Sequence, residues 1–126
     1  MGCFPHLIKS DDYRYDFIGK DNKKVELKTD FHDMNEHPNF FMEKYSNENK
    51  DLGGPFRALD NGIDFYLYLF HPNRTLFIFK DIRALVDKLN EMNRPLISIK
   101  NDTHTTLGMV VDRAKLKGLY QCIKLK

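Results

Sequence analysis

Asp16, Glu26 and Lys28 are two carboxylates and an ammonium that one hairpin would bring together. Residues two apart on a strand point the same way. In "KKVELKTDF" (23–31), Glu26, Lys28 and Asp30 therefore share one face of a strand, and Val25, Leu27 and Thr29 share the other. Folding residues 13–30 as a hairpin with its loop at 20–22 sets 18 opposite 24, 17 opposite 25 and Asp16 opposite Glu26. Directly opposed side chains have Cβ atoms about 4.5–5.5 Å apart, so two carboxylates there repel each other. A divalent cation removes the conflict, because Mg²⁺ takes one or two carboxylates together with water and phosphate oxygens. Lys28 follows on the same face, placed to meet a scissile phosphate or an attacking water. Two carboxylates, a metal and an ammonium suit phosphodiester hydrolysis. The competing reading is a solvated sheet face, and a slip of one residue would put the two acids on opposite faces.

The elements that must position these groups are short. "YRYDFI" (13–18) alternates and is rich in aromatics, which predicts a strand; "GKDNK" (19–23) is a turn, and "KVELKTD" (24–30) is the returning strand. "NFFMEKYS" (39–46) is a third strand, expected beside the second. "PFRALDN" (55–61), after the loop "NENKDLGGP", predicts a short helix with Pro55 at a favoured first position. "IDFYLYLF" (63–70) and "TLFIF" (75–79) read as a buried hairpin around "HPNR". Ile82, Leu85, Val86 and Leu89 recur at helical spacing in 80–93, with Asp81 suited to the helix start. "PLISIK" (95–100) is extended, "NDTHTTLG" (101–108) reads as a loop, "MVV" extends, and 112–120 reads as a short helix. The order predicts an α+β fold, mostly antiparallel, in one domain spanning 1–126.

The pattern Asp16-x9-Glu26-Leu27-Lys28 resembles the bipartite motif of the PD-(D/E)XK nuclease superfamily, in which an Asp opens a hairpin and E-x-K closes it. The likeness continues through "NFFMEKYS", the Gly-rich loop and "NGIDFYLYLF", an order similar to that of small phage-type members. It covers roughly residues 11–80. The resemblance implies a restriction-endonuclease-like core with a central mixed sheet and flanking helices, and cleavage of DNA with Mg²⁺ or Mn²⁺. It also implies that Asp16 and Glu26 hold metal, that Leu27 lends its main-chain carbonyl and that Lys28 is the catalytic lysine. Branched or single-stranded DNA is the implied substrate, and a phage origin would put the protein in the host cytoplasm. Tyr15 stands where the namesake Pro would be, and "MGCFPHLIKSDD" carries no acidic helix ahead of Asp16; Asp11 and Asp12 are rival upstream acids. That missing helix motivates the alternative of a nuclease-like module that binds nucleic acid or protein without catalysis. A third possibility is a metal-free structural protein.

Other residues carry two readings each. Glu43 is either a further ligand through water or an edge-strand charge. Arg57 is either a phosphate contact or a surface side chain packed over aromatics. Asp64 either orients Arg57 or Lys28 or faces water at a strand end. Lys24 and Lys44 count with Arg57 as candidate substrate contacts, although Lys44 is better suited to a solvated position. His32, Glu36 and His37 suggest zinc, but the histidines are five apart and a third ligand is unspecified; these residues would instead stand near the substrate. Lys20, Lys23 and Lys24, with Arg113, Lys115, Lys117, Lys124 and Lys126, form a possible basic rim for a DNA backbone.

Composition adds bounds. The 126 residues suit one core, and 10 Phe and 6 Tyr supply it without Trp. A formal charge of +2 rules out a strongly basic chain, so a nucleic-acid surface must come from local clustering. Cys3 and Cys122 have neither disulfide-framework nor metal spacing, which suits free thiols in a reducing cytosol. No apolar run has the length of a membrane span, and residues 1–10 lack a signal peptide's apolar core. The expectation is a soluble, cytoplasmic protein that binds DNA, forms no membrane contact and acts as a homodimer where both strands must be cut.

Overall fold

A computed structural model describes residues 22–100 and 103–125, together with the backbone of Ile8–Lys9 and Phe17–Ile18. Asp11, Asp12, Asp16, Lys20 and Lys126 lie outside the described residues, as does the 13–16 part of the first expected strand.

Among the described residues the fold is α+β, with two sheets and two α-helices. The strands are β1 (Ile8–Lys9), β2 (Phe17–Ile18), β3 (Lys24–Asp30), β4 (Asn39–Tyr45), β5 (Phe65–Phe70), β6 (Thr75–Phe79), β7 (Leu96–Lys100), β8 (Thr105–Asp112) and β9 (Tyr120–Lys124). The helices are α1 (Gly54–Asp60) and α2 (Ile82–Met92). A mixed sheet runs β1-β2-β3-β5-β6-β9, and a smaller antiparallel sheet runs β4-β8-β7. Among the described strands of the mixed sheet only β3 and β5 are parallel, with Glu26 beside Tyr66, Lys28 beside Tyr68 and Asp30 beside Phe70. The described rungs of the first hairpin, Ile18 with Lys24 and Phe17 with Val25, have the register expected from the sequence.

Both faces of the mixed sheet are apolar at its centre, which is why every residue of β6 is buried. Phe40 and Met42 of β4 and Met109 and Val111 of β8 meet Tyr66, Tyr68, Phe70, Phe77 and Phe79 on one face. Phe40 is the hub: its ring lies 4.8 Å from Tyr68 and 5.0 Å from Phe77, both edge-on. Edge-to-face pairs add about 0.5–1.5 kcal/mol each beyond area burial. Ile82, Leu85, Val86 and Leu89 bring α2 into the same core, and the Asp81 carboxylate caps it by accepting from Ala84 N–H at 3.0 Å. Val25, Leu67, Leu76 and Ile78 cluster on the opposite face.

Three expectations need correction. β4 does not lie beside β3; it pairs with β8, from Asn39 opposite Asp112 onward, and β5 takes the edge of β3. The segment 101–108 is not all loop, because β8 begins at Thr105. Gly108 is a strand residue for lack of space: a Cβ there would stand 2.5 Å from Phe41 Cζ and 2.8 Å from the Met42 carbonyl oxygen. Of residues 112–120 only Arg113–Leu116 are helical, as a short 3-10 helix, and the rest leads into β9, which zips onto β6. An isolated helix that short does not sustain itself without packing.

Candidate functional site

The polar face of β3 is not a wet face. Glu26, Lys28 and Asp30 lie on the side of Tyr66, Tyr68 and Phe70, the side that carries the main core. Glu26 is only 5 % exposed. Burying a charge there is tolerated because it is paired: Arg57 Nη2 on α1 donates to Glu26 Oε1 at 3.2 Å. The buried Arg57 Nε has no hydrogen-bond partner among the described residues.

A small cleft of ≈ 130 Å³ collects Glu26, Lys28, Glu43 and Arg57, together with Leu27, Gly54 and Tyr66. The Leu27 side chain packs with the Val25 cluster on the opposite face, so the part of Leu27 available to the cleft is main chain. Glu43 arrives from the facing layer rather than from a neighbouring strand of the same sheet. It is seated by the glycine pair before α1. A Cβ on Gly53 would collide with the Glu43 carboxylate, and one on Gly54, at φ +52°, would stand 2.5 Å from the Glu43 carbonyl oxygen. Gly53 N–H also donates to the Lys44 carbonyl at 2.9 Å, tying the loop to β4.

Burial raises the Glu43 carboxyl above its ordinary value, against the opposing pull of the Lys28 and Arg57 charges, the Gly54 N–H and His104. Burial likewise pushes the Tyr66 phenol well up, with the Glu26 charge adding to it, so the phenol stays neutral. The cleft thus holds two acids and two cations, close to charge balance. A divalent cation would enter such a site most easily together with an anion such as phosphate.

The donor set fits a hard cation in part. Glu26, Glu43 and the Leu27 main chain offer oxygen, the ligand type Mg²⁺ and Mn²⁺ take, and the raised carboxyl of Glu43 marks an acid whose ionised form the fold under-compensates. Asp16, the remaining expected ligand, lies outside the described residues. No group of three or more His, Cys, Asp or Glu side chains suited to a metal occurs among the described residues, which includes the zinc reading of His32, Glu36 and His37.

Other candidates settle elsewhere. Asp64 orients neither Arg57 nor Lys28: its carboxylate accepts from Lys24 N–H at 2.8 Å, and its own N–H returns to the Lys24 carbonyl at 2.9 Å, latching the start of β3. Lys44 lies outside the cleft, with its ammonium 5.4 Å from the Phe56 ring centre and 5.6 Å from that of Tyr45. Arg113 is no part of a basic rim. It donates to the carbonyls of His37 and Met34 and lies over the Phe70 ring. Lys23, Lys115, Lys117 and Lys124 are exposed.

A second cluster, only partly foreseen, stands at the far end of β3. His32 Nδ1 lies 2.8 Å from Asp30 Oδ1, and the Tyr68 hydroxyl donates to Asp30 Oδ2 at 2.5 Å while accepting from Phe41 N–H at 2.9 Å. Burial works to raise the Asp30 carboxyl, but the bonds from Tyr68 and from the main chain and ring of His32 outweigh it and hold it below the ordinary value. Tyr68 was legible only as a core aromatic, and the hint of its second role is the alternation Tyr66, Tyr68 inside an otherwise apolar run.

Compared with protein-family models, with curated proteins and with solved structures, the chain matches none.

Proposed function

We propose that this protein is a metal-dependent nuclease that hydrolyses phosphodiester bonds in DNA, with a restriction-endonuclease-like core as the frame of its site. The observation that supports this reading most is the convergence of Glu26, Lys28, Glu43 and Arg57 on one cleft that the main chain of Leu27 also lines. Glu26 and Glu43, with the Leu27 carbonyl and Asp16, would hold Mg²⁺ or Mn²⁺. When bound, such an ion supplies Lewis-acid polarisation of the phosphoryl oxygen and lowers the pKa of its water. Lys28 orients the attacking water or offsets charge on the phosphoryl oxygens, and Arg57 neutralises the phosphate that enters beside it. The near balance of charge in the cleft favours the ion arriving with its anionic substrate. One cleft per chain cuts one strand at a time, so cutting both strands requires two copies.

The Arg57–Glu26 ion pair favours a second reading, a nuclease-like module that binds nucleic acid without cutting. A buried carboxylate satisfied by a guanidinium is stable without metal. Calorimetric titration of Mn²⁺ into wild type and Glu26→Gln separates the two. The nuclease reading expects binding by wild type, at least with DNA present, and its loss in the variant. Absence of binding by wild type under both conditions leaves the non-catalytic module.

A further inference from the structure

β7 is an outermost strand of the small sheet, and all five of its residues are exposed. One side of it pairs with β8, from Leu96 opposite Met109 to Lys100 opposite Thr105. Among the described residues no strand lies on its other side, so its outward N–H and C=O groups form an open edge. Natural sheets blunt such edges with proline, with charged side chains or with a bulge. Residues 96–99 have none of these: their register with β8 is unbroken, and Pro95 and Lys100 stand only at the ends of the apolar run. Leu96 is 40 % exposed, and Ile97 and Ile99 are 44 % exposed each. An adjoining strand takes part of that apolar surface out of water.

The order of residues suits a second copy of the same strand. Two identical antiparallel strands in one sheet are related by a twofold axis perpendicular to it, which keeps each face on its own side. Of the registers this allows, the one centred on Ser98 pairs all five residues. It sets Ile97 against the partner's Ile99 and Ile99 against the partner's Ile97, because Ile-Ser-Ile reads alike in both directions. Leu96 meets the partner's Lys100, whose aliphatic stem covers it. Centring the pair on Ile97 or Ile99 instead matches only three residues of each strand. A peptide of arbitrary sequence would gain the main-chain bonds without this symmetric match.

The geometry also relates the two clefts. Glu43, Gly108 and Ile97 lie in one row across the small sheet and therefore on one face. Glu43 is the side chain that β4 brings to the Glu26–Lys28 cleft. The twofold axis keeps Glu43 of both copies on one side of the joined sheet. Five strand spacings separate the two β4 strands, about 24 Å at 4.8 Å each, which is less than the ~34 Å of one duplex turn.

We propose that β7 is the dimer interface of this protein. Two copies join edge to edge, antiparallel and centred on Ser98, into a six-stranded sheet with both clefts on one side. That the two clefts serve two strands of one DNA rests on the nuclease reading, while the pairing itself does not. Edges of five residues make a small interface, so the dimer exchanges with monomer on dilution.

The test is sedimentation of the full chain without metal or DNA, from about 1 μM to about 500 μM. Wild type is expected to pass from monomer to dimer across that range and to stop there, since pairing uses both β7 edges. Ile97→Lys/Ile99→Lys sets lysine against lysine at two pairs and is expected to weaken the dimer at least about tenfold. Ile97→Lys/Ile99→Glu sets opposite charges at the same two pairs and is expected to recover most of that loss. A wild type that stays monomeric throughout, a dimer indifferent to the lysine pair, or equal weakening by the two variants would each overturn the proposal. Should a variant fail to fold, hydrogen exchange of wild type reads the same contact. Protection of amides within 96–100 that rises with concentration supports the pairing, and exchange independent of concentration overturns it. Failure of the nuclease reading looks different: the dimer persists while Mn²⁺ elicits no cutting.

Discussion

Glu26 and Glu43 reach one cleft from different layers and under different terms. Glu26 is paired with Arg57, whereas Glu43 is held above its ordinary 4.5 because burial outweighs Lys28, Arg57 and the Gly54 N–H. An acid whose folded pKa is raised favours the folded state when protonated and opposes it when ionised, so the penalty is present above the folded pKa and disappears as pH falls below 4.5. Glu43→Gln is therefore expected to raise Tm by a few degrees at neutral pH without divalent metal and to lose that advantage near pH ~4; it should also weaken Mn²⁺ binding. Thermal melts at the two pH values check the first claim. Asp30 has the opposite sign. Its carboxyl is lowered, so its contribution is present above the ordinary 3.8 and is lost as pH falls through the folded value. Asp30→Asn removes charge-assisted bonds from Tyr68 and His32 and is expected to cost about 1–3 kcal/mol in denaturant unfolding at neutral pH. That Glu26, Lys28 and Asp30 share one face was legible from the alternation of β3. Their burial was not, because alternation tells which residues share a face but not which face meets the core.

At the scale of elements, the strands with strong local patterns were readable: Lys24–Asp30, Phe65–Phe70 and Thr75–Phe79 follow from alternation or from apolar runs bounded by turns. The partner of β4 was not readable, since sheet membership depends on contacts more than sixty residues away, such as Phe40 with Val111. β8 was obscured by Gly108, which punctuates the sequence like a turn but sits in the strand because Phe41 leaves no room for a side chain. β9 was hidden behind lysines and Gly118. The loop before α1 matters to the site in a way that "GGP" announces only as a turn. Gly54 has φ +52° and abuts the Glu43 main chain, so Gly54→Ala meets both a left-handed backbone, about 1–2 kcal/mol, and a close contact with the strand that carries Glu43. A loss of at least that size is expected in equilibrium unfolding, along with weaker Mn²⁺ binding; Gly62→Ala, with φ +68° but open space around it, should lose the strain alone and leave the metal response intact.

Across the described residues a mixed sheet faces a smaller antiparallel one, and β4 and α1 cover the β3 flank, which turns a charged strand face into a groove. The α+β class was legible from the order of elements and the mixed sheet was implied by the resemblance, whereas the division into two sheets was not legible, because pairing 39–45 with 105–112 joins segments separated by two helices and three other strands. The groove is also why one residue can decide between the two functional readings. Among the described residues Lys28 lines the cleft without an ion pair like that of Arg57 with Glu26, so its removal should spare the fold and act on chemistry. The most direct measurement is Mn²⁺-dependent cutting of circular single-stranded DNA by wild type and Lys28→Gln, with both shown to be equally folded. Cutting by wild type that falls at least about a hundredfold in Lys28→Gln is the expected result. No cutting by wild type, or equal rates in the two proteins, would contradict a nuclease centred on this cleft.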